Sequence, residues 1–402
     1  MAKLLVLGAG IYQMPLLRAI REMGHKSVVC SIPGNYPGFA AADEAAYVDT
    51  TDQEAVLQLA KEKQVDGILT TGTDVAVRSI GYVCETLGLP GITYQAAQNV
   101  TDKFLMRQAM KDGGVRSPGF AQVHTAEEAL HASEAIGWPV IFKCVDRSGS
   151  RGIMRVDGPE AVQQAFDYAF EETRRDYILV EKFLEGTEIG VDGYISAAGD
   201  FLVPHAKLVY NNGSTCVPMG HVLPFEYPQK VVQDVLEQAA LCARAVGLEE
   251  SFVNLDVLLT ADGAYVLEIG ARGGATCIPE LISAHTGVDY YRQMVLCALG
   301  QKPEFADAKP GPACVVRLLG SPRTGVLEAV KLPEARPQGL LDLQLDYGPG
   351  EEVHAFRVGP DRIGQMIAVA DTLDAARALV EEVRSGVTLT YRDAPQTEVP
   401  AM

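Results

Sequence analysis

The sequence predicts a protein of mixed class, α/β and α+β. It comprises an N-terminal doubly wound parallel α/β domain, a central domain with antiparallel hairpins, and a small C-terminal α+β domain. Three observations carry this prediction. Strand and helix signals alternate through residues 1–90, as a parallel sheet with crossover helices requires. Apolar and polar residues alternate with period two from Glu188 to Leu208, and Ala261-Asp262-Gly263 is a strong hairpin signal between two apolar runs. A stretch rich in proline and charge, Pro303–Pro312, then marks a junction before a region of short strands and one clear helix.

In order along the chain, Lys3–Leu7 reads as a buried strand and Gly8-Ala9-Gly10 as a tight turn. An amphipathic helix follows over Tyr12–Met23, stopped by Gly24, and then a strand over Lys26–Ser31. Gln53–Lys63 reads as a helix, Gly67–Thr71 as a strand and Val75–Leu87 as a helix ended by Gly88. These elements make a first domain of residues 1–95. Gln95–Gly113 reads as helices around Lys103. Residues 125–182 give helix, strand, glycine-rich loop, strand, helix (Glu160–Glu172) and strand, the pattern of a lid subdomain. Pro228–Val246 is a long helix, and the strands Phe252–Leu259 and Ala264–Ile269 close a central domain of residues 96–302. Residues 303–402 form the last domain, with a helix over Leu373–Val383.

The chain has 402 residues, 48% apolar and 21% charged, the balance of a globular enzyme. Its net charge of −18, from 34 basic and 52 acidic side chains, repels phosphate backbones and anionic lipid. Nucleic acid and membrane are therefore excluded as main partners. An anionic ligand must be held by a local cluster of positive groups. The eight cysteines are scattered without a C-x-x-C pair, and the apolar run at residues 4–7 leads straight into Gly8 as a strand does. Together these predict buried free thiols, no signal peptide and a cytoplasmic location. No apolar run approaches the roughly 20 residues of a membrane span.

Four segments carry candidate chemistry. Gly8-Ala9-Gly10 follows a strand, but a dinucleotide fingerprint needs a glycine where Gln13 stands, and the second strand ends without a carboxylate. A sharp strand-to-helix turn is the better account. In the second segment Lys143 ends an apolar strand and leads into Ser148, Gly149, Ser150, Arg151 and Gly152. A point charge beside a loop of small residues suits phosphate, although the spacing is not that of a Walker loop. In the third, Glu181, Lys182, Phe183 and Leu184 run from a strand into a polar connector. Its backbone can meet an adenine edge, its apolar side chains can pack on the base, and Glu188 can accept from ribose hydroxyls. In the fourth, the hairpin sets Asp256 and Glu268 equidistant from residue 262 and hence nearly opposite each other. Facing carboxylates repel, and a magnesium ion shared with phosphates removes that penalty. Arg272, four residues further on, is placed to meet charge on a transferring phosphoryl group.

In this order the segments resemble the ATP-grasp superfamily, and within it the carboxylate–amine ligases built like biotin carboxylase, the purine-biosynthesis ligases and the L-amino-acid ligases. The resemblance spans nearly the whole chain and makes the central domain an ATP-grasp fold. It implies that Lys103 and Lys143 touch ATP phosphates and that the segment from Glu181 to Leu184 holds adenine. It further implies that Glu188 binds ribose, that Asp256 and Glu268 ligate magnesium, and that Arg272 lies near the γ-phosphate. Many members carry an asparagine two residues after the second metal carboxylate, where this chain has Gly270. Water, Asn254 or a bidentate Glu268 would then complete the metal shell, leaving one or two magnesium ions, with manganese as an alternative.

The implied reaction transfers phosphate from ATP to a small carboxylate, and an amine then attacks the acyl phosphate. Amide or peptide bond formation is expected. A biotin-type or purine-type carboxylase or ligase and a non-catalytic ATP-binding regulator are the alternatives. Candidates on the substrate side are His205, His221, Cys277, Thr73 and Asp74, with Lys207 toward the nucleotide. Asp74 reads equally well as a helix N-cap. A homodimer is left open.

Overall fold

The computed structural model describes residues 1–146, 152–211 and 216–402. The chain packs as two compact units. The first comprises residues 1–204, 227–274 and 291–303, and the second residues 205–226, 275–290 and 304–402.

The first unit opens with four parallel strands, in spatial order Glu44–Tyr47, Lys26–Ser31, Lys3–Leu7 and Gly67–Leu69. The apolar runs of the sequence become its core, with Leu5, Leu7, Val28, Cys30, Val56 and Val83 packed together. The predicted helix at Tyr12–Met23 starts later, as a 3₁₀ turn Ile11–Gln13 leading into Met14–Glu22. Pro15 explains the delay, since proline is tolerated in the first helical turn and not beyond it. The Gln13 side chain lies against Gly8 and donates to the Thr71 carbonyl at 2.5 Å. It fills the space over the turn that a dinucleotide would need.

Two short helices follow, Tyr94–Thr101 and Lys103–Asp112, hinged on Asp102. The lid is an antiparallel sheet in the order Phe120–Val123, Ile178–Lys182, Val140–Lys143 and Ile153–Val156. Helices Ala126–Ile136 and Val162–Glu172 cover it around Phe142, Val156, Phe166 and Ile178. Strand Thr187–Ile195 pairs with Ser251–Thr260, which pairs in turn with Gly263–Gly270. Helix Gln229–Ala245 packs against this hairpin, and its Asp234 accepts from the Ala264 amide and pairs with Arg116.

In the second unit, strands Cys216–Leu223, Ala313–Gly320, Arg362–Ala370 and Leu340–Leu345 lie side by side and antiparallel. The core beneath helix Leu373–Ser385 is built from Val315, Leu319, Met366, Ala376, Val380 and Tyr391. A small sheet of Glu352–Val353, Gly325–Lys331, Thr388–Tyr391 and Ala394–Pro400 completes it. Among the described residues of both units, no helix is long and apolar enough to cross a membrane.

Gly263 sits at φ +122° at the hairpin turn, and a Cβ there would meet Arg116 and come within 2.9 Å of Asp234 Oδ2. Gly263→Ala should therefore cost more than ~1 kcal/mol of stability, read as a lowered thermal midpoint.

Candidate active site

The hairpin that presents Asp256 and Glu268 is not regular. Near its turn the pairs are Thr260↔Gly263 and Val257↔Val266, whereas beyond it they are Asp256↔Glu268 and Asn254↔Gly270. A bulge with Leu267 as the extra residue separates the two registers. Without it Leu267 would oppose Asp256, and Glu268 would turn to the other face, because side chains alternate along a strand. Centring the hairpin on residue 262 already includes that extra residue, which is why the expected pairing is found.

Lys103 is the first residue of its helix, fixed there by the Asp102 carboxylate, which caps the Phe104 and Leu105 amides at 3.1 and 3.3 Å. From this position its ammonium reaches Glu268 Oε1 at 3.3 Å. Burial alone would lower the Lys103 pKa, but the Glu268 carboxylate outweighs burial and the group stays charged, with its pKa raised. One of the two facing carboxylates is thus compensated before any metal arrives.

Lys143, at the end of its lid strand, pairs with Glu181 Oε2 at 2.5 Å. Glu181 is 1% exposed, and its other partner is Arg107, whose Nε lies 2.7 Å from Oε1. Burial works against the carboxylate, but the two cations prevail and hold its pKa down to about 2. The sequence gives this segment a backbone role in holding adenine, and its Glu181 side chain turns inward to this ion triad. Lys182 donates to the carbonyls of Gly137 and Trp138 at 2.8 and 2.9 Å, and the Arg155 guanidinium covers the Phe183 ring at 4.2 Å. Glu188 is exposed on strand Thr187–Ile195.

Arg107 went unnoticed in the sequence. Its signal was a charge four residues after Lys103, flanked by Met106 and Met110 on a helix, which places it on the Lys103 face one turn along. Its Nη2 also donates to the Leu267 carbonyl at 2.6 Å, the carbonyl of the bulge residue itself.

Arg272 is held by a fork. Its Nε and Nη2 donate to the two Asp74 oxygens at 2.8 Å each, and its Nη1 donates to Asn254 Oδ1 at 2.8 Å. Burial disfavours its charge, but Asp74, with Asp192 and Asp256 further off, raises its pKa. One correction follows. Asp74 does not cap the helix after it: the cap position is Ala76, without a side-chain bond, because the Asp74 carboxylate is committed to Arg272. Asn254, an alternative metal ligand in the sequence, accepts from Arg272 at its Oδ1 and donates from Nδ2 to Asp192 at 2.7 Å. The same network accounts for Gly270, where a Cβ would stand 2.7 Å from Asp74 Oδ1. Any side chain at 270 collides with the Asp74–Arg272 pair.

A cavity of about 440 Å³ is lined by Lys103, Glu268, Asp74, Arg78, Arg174 and Arg175, among others. A second, of about 160 Å³, is lined by Asp74, Asn254, Asp256, Glu268, Gly270 and Arg272. The structure thus brings Lys103, Asp74, Asp256, Glu268 and Arg272 to one region. Thr73 and Lys143 line neither cavity. Ser148, Gly149, Ser150 and Arg151 lie outside the described residues; Gly152 is described, at φ +62°.

Lys207, His205, His221 and Cys277 belong to the second unit. His205 and His221 are buried with their Nδ1 atoms 3.1 Å apart, and burial, His205 and Lys207 together push the His221 pKa well down. The Cys277 thiol donates to Gln365 Oε1 at 2.9 Å, and burial raises its pKa well above the usual range, which leaves it a poor nucleophile.

The chain is similar to several known proteins. Residues 102–191 match the ATP-binding domain of the carbamoyl-phosphate synthase L chain, and residues 317–392 match the L-amino acid ligase C-terminal domain 2. The chain is 28% identical over 394 residues to a formate-dependent phosphoribosylglycinamide formyltransferase of Prochlorococcus marinus, covering 91% of this chain and 96% of that one. The structure of phosphoribosylglycinamide synthetase from Anaerococcus prevotii superposes with a TM-score of 0.85 at 27% identity, covering 97% of this chain and all of that one. The biotin carboxylase domain of a 2-oxoglutarate carboxylase from Hydrogenobacter thermophilus, solved with magnesium ADP and bicarbonate, has a TM-score of 0.80 at 18% identity. That match covers 100% of this chain and 91% of that one, and it speaks for the fold.

The ion triad has a pH consequence. The Glu181 pKa falls from 4.5 to about 2 on folding, so its ionisation stabilises the fold above 4.5 and that contribution is lost as pH falls toward 2. Glu181→Gln should be less stable near neutrality, with a shallower loss of stability between pH 4.5 and about 2, measured by denaturant unfolding at several pH values.

Proposed function

The chain belongs to the ATP-grasp superfamily, and on that premise we propose that it is an ADP-forming ligase joining a small carboxylate to an amine, most readily that of an amino acid. The observation that carries this reading is the pair of carboxylates set on one hairpin face by a bulge, with Lys103 on one of them. Such a pair suits a hard divalent ion shared with phosphate oxygens. Asp256 and Glu268 would hold magnesium, which when bound neutralises phosphate charge. Asn254 being committed to Arg272 and Asp192, further ligands come from the nucleotide and water. Manganese, with the same taste for oxygen ligands, is expected to substitute.

The residues divide the work by position. Lys103 and Lys143 receive the ATP phosphates, exchanging a carboxylate partner for a phosphate oxygen. The connector after Glu181 and the exposed Glu188 take the adenosine. Arg272, held on two sides by Asp74, acts as a fixed positive charge and not as a mobile finger. Fixed charge is what transfer of a phosphoryl group calls for, since catalysis there is positioning and charge stabilisation. The substrate carboxylate oxygen attacks the γ-phosphorus, its bond to ADP breaks, and an acyl phosphate forms. The amine nitrogen then attacks the acyl carbon, phosphate leaves and the amine gives up a proton. Arg78, Arg174 and Arg175, in the larger cavity beside Lys103, offer a landing place for the carboxylate.

The match at 317–392 favours an amino acid over a purine-type acceptor. The free, mostly buried thiols support a reducing cytoplasm, and the dimer of the Hydrogenobacter domain supports a homodimer here.

The test is ATP, magnesium and a panel of amino acids, with hydroxylamine as trap and formate plus phosphoribosylglycinamide as the purine arm. ADP, phosphate and a hydroxamate are expected; AMP and pyrophosphate would rule out the acyl phosphate. Glu268→Gln should lower kcat at least a hundredfold with the thermal midpoint within a few degrees of wild type. Undiminished turnover would refute the metal assignment.

A further inference from the structure

Three observations meet at one buried side chain. The bulge that puts Glu268 on the Asp256 face leaves Leu267 outside the regular ladder, and Arg107 Nη2 donates to its carbonyl at 2.6 Å. The same guanidinium grips Glu181, Nε to Oε1 at 2.7 Å and Nη2 to Oε2 at 3.3 Å. Glu181 in turn holds Lys143. Arg107 itself is only 2% exposed.

We propose that Arg107 is a positioning residue that sets the metal-binding face of the hairpin and the phosphate-binding lysine of the lid together. This rests on the functional reading above and extends it to a residue that touches neither metal nor nucleotide. Two physical demands support it. A bulge residue has a carbonyl without a regular strand partner, and a half-buried carbonyl left unbonded still costs free energy. Arg107 satisfies it and so favours the register with Glu268 opposite Asp256 over the register with Leu267 there. Separately, Lys143 can leave Glu181 for a phosphate only if Glu181 is not then a lone buried charge. With Arg107 in place Glu181 keeps a partner, so Lys143 is released at low cost. A planar fork with several donors meets both demands at once, which a lysine's single ammonium does not.

The test compares Arg107→Met, Arg107→Lys and Val56→Ala, the last a buried residue in the core of the first parallel sheet used as a stability control. Hydrogen exchange of the hairpin amides around residue 267 is read in nucleotide-free protein, magnesium–ADP affinity by calorimetry, and ATP KM, kcat and magnesium half-saturation by ADP formation. Arg107→Met should speed hairpin exchange and weaken magnesium–ADP binding, each at least tenfold. Arg107→Lys, which keeps a charge for Glu181, should bring ATP KM back toward wild type while magnesium half-saturation stays raised. If Arg107→Met does not fold, that split in the lysine variant decides by itself. Hairpin exchange and magnesium dependence like wild type in both variants would overturn the proposal, as would equal changes in Val56→Ala. Should exchange rise as expected while the wild-type protein binds no magnesium–ADP, it is the functional reading that fails.

Discussion

Charge compensation governs how this protein is built. With a net charge of −18, it nonetheless gathers Asp74, Glu181, Asp256 and Glu268 near one hairpin and the lid strand beside it. Four cations answer three of them: Lys103 meets Glu268, Lys143 and Arg107 meet Glu181, and Arg272 meets Asp74. Only Glu268 among those partnered carboxylates is substantially exposed, with 46% of its side chain accessible. Glu181 is drawn fully out of water and Asp74, with 35% of its side chain accessible, only partly so; an unpaired buried charge is costly, so the pairs help fix where helices and strands stand. The geometry offered to a ligand is a by-product of that internal balance.

Much of this was legible in the sequence, because the informative residues lie on one short hairpin or at the start of one helix. A local turn signal places Asp256 and Glu268 opposite each other without knowledge of the rest of the chain, whereas Lys103 was marked by the resemblance and its capping aspartate by the structure. The partners were not legible. Arg107 and Glu181 stand 74 residues apart, and Asp74 and Arg272 stand 198 apart. No periodicity links such positions. Burial was the other blind spot: Glu181 on a strand end looks like a residue facing solvent, yet it is the most tightly held carboxylate of the lid.

Gly270 shows how the two levels interact. In the sequence it is an absence, a glycine where relatives of the type carry asparagine. In the fold it is an accommodation, since the space a side chain would fill belongs to the Asp74–Arg272 pair. Thr71 and Gly72 tie to Gly273 just beyond, which holds the hairpin end against the first parallel sheet and keeps that pair in register. The bare glycine at 270 and the immobile Arg272 are one structural choice.

The single extra residue at Leu267 imposes a parity on the chain's history. Because side chains alternate, the hairpin turn can lengthen or shorten in steps of two and keep both carboxylates on one face. A change of one residue exports Glu268 to the opposite side unless the bulge is created or removed in the same event. Loss of Leu267 alone would keep the carboxylates opposite, because the register near the turn then continues, whereas a one-residue loss that leaves the bulge in place turns Glu268 to the other face. A substitution at either carboxylate removes one charge, whereas an odd-length slip dissolves the pair while leaving both residues in the sequence.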